Sequence, residues 1–319
     1  SYSISASGAE SDFYAISYLP ATLTITKAVL QVSLDNDTKV YGTANPNFTI
    51  SYSGFKGDDD ETTALSVLPT YYCSANTLSP VGTYPVTLNG GQSQNYVLQF
   101  NSAELNIVRA DQTITFSNLA DKKYGDADFI PQAFSSSGEI VALSSDNADV
   151  ATIIDGKIHI TGVGSTIITA SQAGSFNYNP ALSVTDTLTV KKASQTIYIE
   201  PLSVKTFGDA PFSIDASSSS GIVPVLTSDN PQVATIDGNT VTIIGAGKAT
   251  ISATEAGKTL YEAAAVSART LSVLKADQEI SFDALPGYTF GDIDTIIPMV
   301  SSSSGLPVSL TSSNNSVAK

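Results

Sequence analysis

Lys122-Lys123-Tyr124-Gly125-Asp126 reads as a turn: a glycine free to take positive φ, an aspartate able to bond the backbone, and a ring just ahead of them. The stretch returns as Lys39-Val40-Tyr41-Gly42, as Lys205-Thr206-Phe207-Gly208-Asp209 and as Tyr288-Thr289-Phe290-Gly291-Asp292. Its aromatic residues, Tyr41, Tyr124, Phe207 and Phe290, each stand 83 residues from the next. A fixed period of that length means tandem modules. The ring is expected to pack inward while the glycine turns the chain near the first strands. Tyr288 replaces lysine in the last copy, so no obligatory lysine chemistry, such as an isopeptide cross-link, is expected.

Extending the alignment outward divides the chain. Residues 1–28 read as the C-terminal part of a first module type, because Tyr2 through Ala28 align without gaps on Tyr84 through Ala110. Residues 29–110 are the complete copy of that type. Residues 111–193 and 194–276 are two copies of a second type, matched by Gln112 with Gln195, Ser135-Ser136-Ser137-Gly138 with Ser218-Ser219-Ser220-Gly221, and Val150-Ala151-Thr152-Ile153 with Val233-Ala234-Thr235-Ile236. Residues 277–319 begin a third copy of the second type, with Gln278 and Ser302-Ser303-Ser304-Gly305. Both ends are therefore expected to be cuts in a longer array.

Within a module, runs such as Leu30-Gln31-Val32-Ser33-Leu34, Asn47–Ser53, Thr70–Ala75, Tyr84–Leu88, Tyr96–Phe100 and Ala103–Val108 alternate like half-buried strands. Between them lie Gly57-Asp58-Asp59-Asp60-Glu61 and Asn89-Gly90-Gly91, which have turn chemistry. Helical periodicity is absent. Counting runs gives about seven strands per module, the number an Ig-like sandwich needs. The fold class expected is all-β: a tandem array of Ig-like β-sandwich modules of about 82–83 residues.

Composition agrees. Hydrophobic residues are 42% and charged residues only 14% of the 319, too apolar for a disordered acidic chain. The net charge of −15 argues against nucleic acid and anionic membranes, which need a basic surface. The single cysteine, Cys73, excludes an intrachain disulfide and reads as a small side chain on a strand, so packing must hold each module. No signal-peptide or membrane-span pattern is found.

Each module ends in a basic residue and alanine: Lys27-Ala28, Arg109-Ala110, Lys192-Ala193 and Lys275-Ala276. The next strand follows within about two residues, with no flexible Gly/Ser or Pro-rich spacer. So short a step restricts the angle between modules. An extended rod is expected, at roughly 35–45 Å per module from strands rising about 3.3 Å per residue.

The first type, with Lys39-x-Tyr41-Gly42, Asn45-Pro46, Tyr52-Ser53-Gly54-Phe55, Pro80-Val81-Gly82-Thr83-Tyr84-Pro85 and Asn95-Tyr96, resembles the MBG ("mostly bacterial Ig-like") repeat. The second, with Ser-Asp-Asn at 145–147, Val-Ala-Thr-Ile and Gly162-Val163-Gly164 before a Thr-rich strand, resembles bacterial Ig-like domains of group 2. The resemblance implies a large secreted bacterial surface protein, an adhesin of the gliding-motility or biofilm kind found in Bacteroidota and exported by type IX secretion. Anchor, export signal and adhesive tip would lie outside these residues.

Residues that could carry chemistry are few. His159, the only histidine, sits between Ile158 and Ile160, and alternation turns it outward with Lys157. The serines cluster in turns, where their hydroxyls bond local backbone. No nucleophile–base pair or poised acid pair emerges, so no enzyme and no catalytic or cofactor-binding residue is expected. The acidic turns are the remaining candidates: Asp58, Asp59 and Asp60 with Glu61, Asp126 with Asp128, Asp146 with Asp149, Asp35 with Asp37, and Asp292 with Asp294. Calcium draws on carboxylates and turn carbonyls, but none of these matches an EF-hand or a glycine-rich calcium repeat, and a solvated turn is the favoured alternative. The recurring Tyr14, Tyr96, Tyr178 and Tyr261 read as tyrosine-corner-like structural residues. Asp186-Thr187-Leu188 and Asp294-Thr295-Ile296 resemble a short O-glycosylation acceptor of Bacteroidota proteins.

The function expected is a stalk or spacer of a cell-surface adhesin, located outside the cell. Its partners would be neighbouring Ig-like modules of the same chain, with an extracellular surface or glycan contacted elsewhere, and neither nucleic acid nor membrane insertion here. The alternative is modules that themselves bind glycans or other surfaces, with or without calcium.

Overall fold

The computed structural model describes residues 1–289, 291 and 299–317. Phe290, Asp292, Asp294, Thr295, Ile296 and Ala318 lie outside the described residues. The chain falls into two compact units. One comprises Ser1–Ala120, Ala127–His159 and Ser165–Thr189; the other comprises Asp121–Asp126, Ile160–Gly164 and Val190–Lys319.

Tyr2–Ile4 (β1) and Ala21–Leu23 (β2) form an exposed antiparallel hairpin. Seven strands follow: Ala28–Ser33 (β3), Asp37–Val40 (β4), Ser51–Ser53 (β5), Val67–Cys73 (β6), Gly82–Gln92 (β7), Tyr96–Asn101 (β8) and Ala103–Val108 (β9). They make two sheets, of order β5-β3-β8 and β4-β9-β7-β6. The alternation of β9 is complete, with Ala103, Leu105 and Ile107 buried and the residues between them exposed. These three pack with Val32, Leu34, Phe48, Val86 and Leu88 into one core, as two facing sheets require.

The next strands are Ile114–Phe116 (β10), Lys122–Lys123 (β11), Ala133–Ser135 (β12), Ala142–Ser145 (β13), Ala151–Ile154 (β14), Lys157–Ile160 (β15), Gly164–Ser171 (β16) and Val184–Lys191 (β17). They pair as β10-β12, β11-β17-β16-β13 and β14-β15. The same plan recurs in Ile197–Ile199 (β18), Lys205–Thr206 (β19), Phe212–Ser213 (β20), Ala216–Ser218 (β21), Val225–Ser228 (β22), Ala234–Asp237 (β23), Thr240–Ile243 (β24), Gly247–Thr254 (β25) and Ser267–Leu274 (β26). Their sheets are β18-β21, β19-β26-β25-β22 and β20-β24-β23, closed over Ile199, Ile214, Val241, Ile251 and Leu271. Ile280–Phe282 (β27) and Val300–Ser302 (β28) form a last hairpin.

The fold is all-β, a tandem array of Ig-like sandwiches. Among the described residues the one helical element is a single turn, Glu61–Ala64 (α1), in the acidic stretch expected to be a plain turn. Asp60 makes the difference: as N-cap it accepts from the backbone N–H of both Thr62 and Thr63, at 2.9 Å each. Two strand boundaries also differ from expectation. Asn47–Ile50 stay outside the regular strand, leaving only Ser51–Ser53 paired. Asn89-Gly90-Gly91, expected as a turn, continue β7 opposite β6. A Cβ on Gly91 would lie 2.6 Å from Leu98 Cδ1 and 2.9 Å from Pro69 Cγ, so glycine admits close packing there rather than reversing the chain.

One topological feature places the opening motif. The short strand before each Lys-x-aromatic-Gly turn runs parallel to the last strand of its own sandwich: β4 to β9, β11 to β17, and β19 to β26. The turn therefore emerges at the end where the chain leaves the sandwich.

Candidate functional site

Several of the acidic candidates are engaged in local structure. Asp59 Oδ2 accepts the Tyr96 hydroxyl at 2.7 Å, and the Tyr96 phenol is pushed above its usual range by burial and then by that bond. Asp60 is held at about 2, below its ordinary 3.8, by the Thr62 hydroxyl and the Thr63 backbone and hydroxyl. Asp58 is exposed. Asp126 Oδ2 accepts from Lys123 N at 2.9 Å, and Asp209 repeats the bond to Thr206 N. Asp128 instead faces His159, 2.8 Å from Nδ1. Asp146 accepts from the Thr166 hydroxyl and Ile167 N–H, which hold its carboxyl below the usual range. Asp37 accepts from Thr38 N, and Asp149 donates its own N–H to Asn147. Among the described residues no three His, Cys, Asp or Glu side chains gather as a metal set.

The remaining candidates are placed as follows. His159 points outward between buried Ile158 and Ile160. Ser135 and Ser218 donate to the carbonyls of Glu139 and Ile222, at 2.7 Å each. Cys73 is half-buried at the end of β6. Asp186 binds the N–H groups of Leu119 and Thr187, leaving the Thr187 side exposed. Lys39, equivalent to the lysines of the other turns, is buried and donates to the carbonyls of Asn76 and Thr43 at 2.6 and 3.0 Å.

The residues that recur together in space lie at the joints. Turn aromatics Tyr41, Tyr124 and Phe207 each donate their backbone N–H to the end of their own last strand, at Val108, Lys191 and Leu274, all 2.9 Å. Tyr41 is half-buried and packs against the core of its own sandwich, as expected, and Tyr124 is half-buried; both rings also reach the joint. Tyr41 stands edge-to-face against Tyr178, with centroids 5.4 Å apart and planes at 82°. Tyr124 meets Tyr261 in the same way, at 5.7 Å and 84°. Phe207 is 49% exposed.

The backbone joins at the same place. Ala110 N donates to Asn177 O at 3.0 Å and Asn179 N to Ala110 O at 2.8 Å, a one-residue parallel bridge to Tyr178. Ala193 makes the same bridge to Tyr261, with bonds to Leu260 O and from Glu262 N of 3.0 and 2.9 Å. Ala28 opens β3 opposite Tyr96 in the same relation. Two of the basic residues before these alanines reach the following loop: Lys27 Nζ donates to Ser93 O at 2.9 Å and Arg109 Nε to Phe176 O at 3.4 Å. Val81 N also donates to Asn177 Oδ1 at 3.1 Å. The tyrosine-corner expectation is therefore replaced. Tyr178 and Tyr261 are joint residues, Tyr96 anchors the Lys56–Asp59 turn, and Tyr14 is exposed.

Behind the joint lies a clasp whose role the sequence did not reveal. Gln112 and Gln195, both buried, donate to the carbonyls of Asn179 and Glu262 at 2.7 Å and accept from Ser137 and Ser220 at 2.5 Å. They tie the tyrosine loop to the Ser-Ser-Ser-Gly turn. The available signal was a glutamine two residues past the linker alanines Ala110, Ala193 and Ala276, beside an apolar strand.

Sandwiches of seven strands in two sheets, then of eight and nine strands in three sheets each, chained through one-residue joints, make up a repeated Ig-like architecture. Residues 30–106 match the family model described as MBG domain (YGX type), and Tyr41-Gly42-Thr43 lies within the match. No curated protein matches the chain. Similar solved structures include Drosophila N-cadherin EC1-4, at 12% identity over 79% of this chain and 76% of that one, with a TM-score of 0.27. Sidekick-1 immunoglobulin domains 1-4 match at 12% over 78% and 76%, TM-score 0.27. Domains 1-6 of the surface layer protein SbsC match at 14% over 83% of this chain and 43% of that one, TM-score 0.25.

Proposed function

We propose that this chain is a structural spacer: a stalk segment of a secreted cell-surface adhesin that holds a distal adhesive region away from the cell. The observation that carries this reading is the joint. Consecutive sandwiches meet through a backbone bridge at Ala110 or Ala193, not through a flexible linker. Stability in such an array is spread over modules and their nearest-neighbour contacts, which suits a load-bearing tether.

The module boundaries proposed are 29–110, 111–193 and 194–276, flanked by parts of modules at 1–28 and 277–319. The partners are neighbouring Ig-like modules, with the surface or glycan contacted elsewhere. A bacterial origin, gliding or biofilm use and type IX export are the specific setting proposed. Among the described residues no helix is long and apolar enough to cross a membrane. No contact observed here favours glycan or calcium binding by the modules themselves.

Small-angle scattering of the whole chain tests the spacer. A compact globule of this length has a radius of gyration of about 20 Å. A rod of modules of about 35–45 Å each gives a larger radius and a maximum dimension above about 100 Å. A compact profile would refute the stalk.

A further inference from the structure

We propose that the aromatic of the Lys-x-aromatic-Gly turn is an inter-module latch, a docking face for the tyrosine-bearing loop of the next sandwich. The latch couples the stability of neighbouring modules and restricts rotation about the joint. It rests on the spacer reading for its use, while its existence stands on the geometry alone.

Three observations carry it. The ring contact recurs with nearly the same distance and angle at two joints. One of these follows a module of the first type and the other a module of the second type, so the contact is a property of the joint and not of one local sequence. Each turn aromatic is fixed to its own module by the bond from its N–H to the last strand, so its ring is a firm post. The backbone bridge joins a single residue pair, Ala110 with Tyr178 or Ala193 with Tyr261, and the ring contact adds a second fixed point to one side of it, beside the Val81 and Arg109 hydrogen bonds at the first joint.

The sandwich that supplies the ring also holds it in place. Gly174 and Gly257 bend the loop, Gln112 and Gln195 clasp it, and Ser175 N and Lys258 N bond the tyrosine carbonyls at 3.0 and 3.2 Å. The partner this face fits is therefore a preformed loop bearing tyrosine, one residue before the carbonyl that the glutamine holds.

Amide hydrogen exchange on the whole chain tests the latch, using Tyr41→Ala, Tyr178→Ala and the double variant, with Tyr41→Phe as the ring-retaining control. Tyr41→Ala is expected to speed exchange about 2- to 10-fold in residues 174–181, across the joint, and Tyr178→Ala in residues 39–44. The double variant should change little more than either single one, and Tyr41→Phe should match the native chain. Tyr124→Ala, read at residues 257–264, repeats the test if Tyr41→Ala loosens its module throughout. Effects confined to the mutated side at both joints, or additive in the double variant, overturn the latch. They leave the spacer reading untouched, since native scattering decides that separately.

Discussion

Gly174 and Gly257 carry a constraint that Gly125 and Gly208 lack. All four have positive φ. A Cβ on Gly257 would meet Ala263 N, Glu262 C and Tyr261 O at 2.7 Å, all backbone, whereas one on Gly208 meets nothing within 4 Å. Alanine at 208 is expected to cost only left-handed strain, about 1–2 kcal/mol. Alanine at 257 adds overlap with backbone that cannot swing aside, for about 2–5 kcal/mol in all. Local stability from hydrogen exchange in residues 194–276 separates the two; equal losses would mean the tyrosine loop yields. The recurrence of these glycines was legible in the sequence. Which of them only permits a turn and which permits close backbone approach was not, because that depends on what folds over them.

At the scale of elements, the period-two runs were legible wherever one face meets a core, as β9 shows. They misled where local chemistry competes with pairing. At Asp58–Glu61 a carboxylate that could have faced solvent or a cation instead starts a helical turn. This element should depend on pH. Because folding lowers the Asp60 pKa from 3.8 to about 2, the carboxylate favours the folded cap above about pH 4, and that contribution is lost as pH falls toward 2. Urea unfolding of the native chain and Asp60→Asn should therefore differ more at pH 6 than at pH 2, where protonation makes the acid resemble the amide. A constant difference would remove the cap from the pH response. His159 and Asp128 illustrate the limit of strand periodicity: alternation places the histidine outward, but only the β15 bridge between Ile158 and Phe129 sets Asp128 beside it.

For the whole molecule, the main question is whether ions or covalent links stabilise the array. Cys73 is the only cysteine, and its side chain is free. The candidate carboxylates Asp59, Asp60, Asp126 and Asp128 each bond a partner on their own module. Calcium would have to break those bonds before gaining its six to eight oxygens. The melting profile in millimolar calcium is therefore expected to overlay that in chelator, and a rise of several degrees with calcium would restore the binding alternative. What the sequence by itself determined was the repeat, the all-β class and the absence of flexible spacers, because period, alternation and linker composition are properties of order along the chain. Tertiary structure alone decided where the repeated turn points. Parallel pairing of β4 with β9, and of β11 with β17, carries Tyr41 and Tyr124 to the exit of their sandwiches. There they meet rings 137 residues further along the chain. Contacts at that separation leave no local pattern, so the sequence showed a ring that packs inward, as Tyr41 does, but not that it also forms part of the joint.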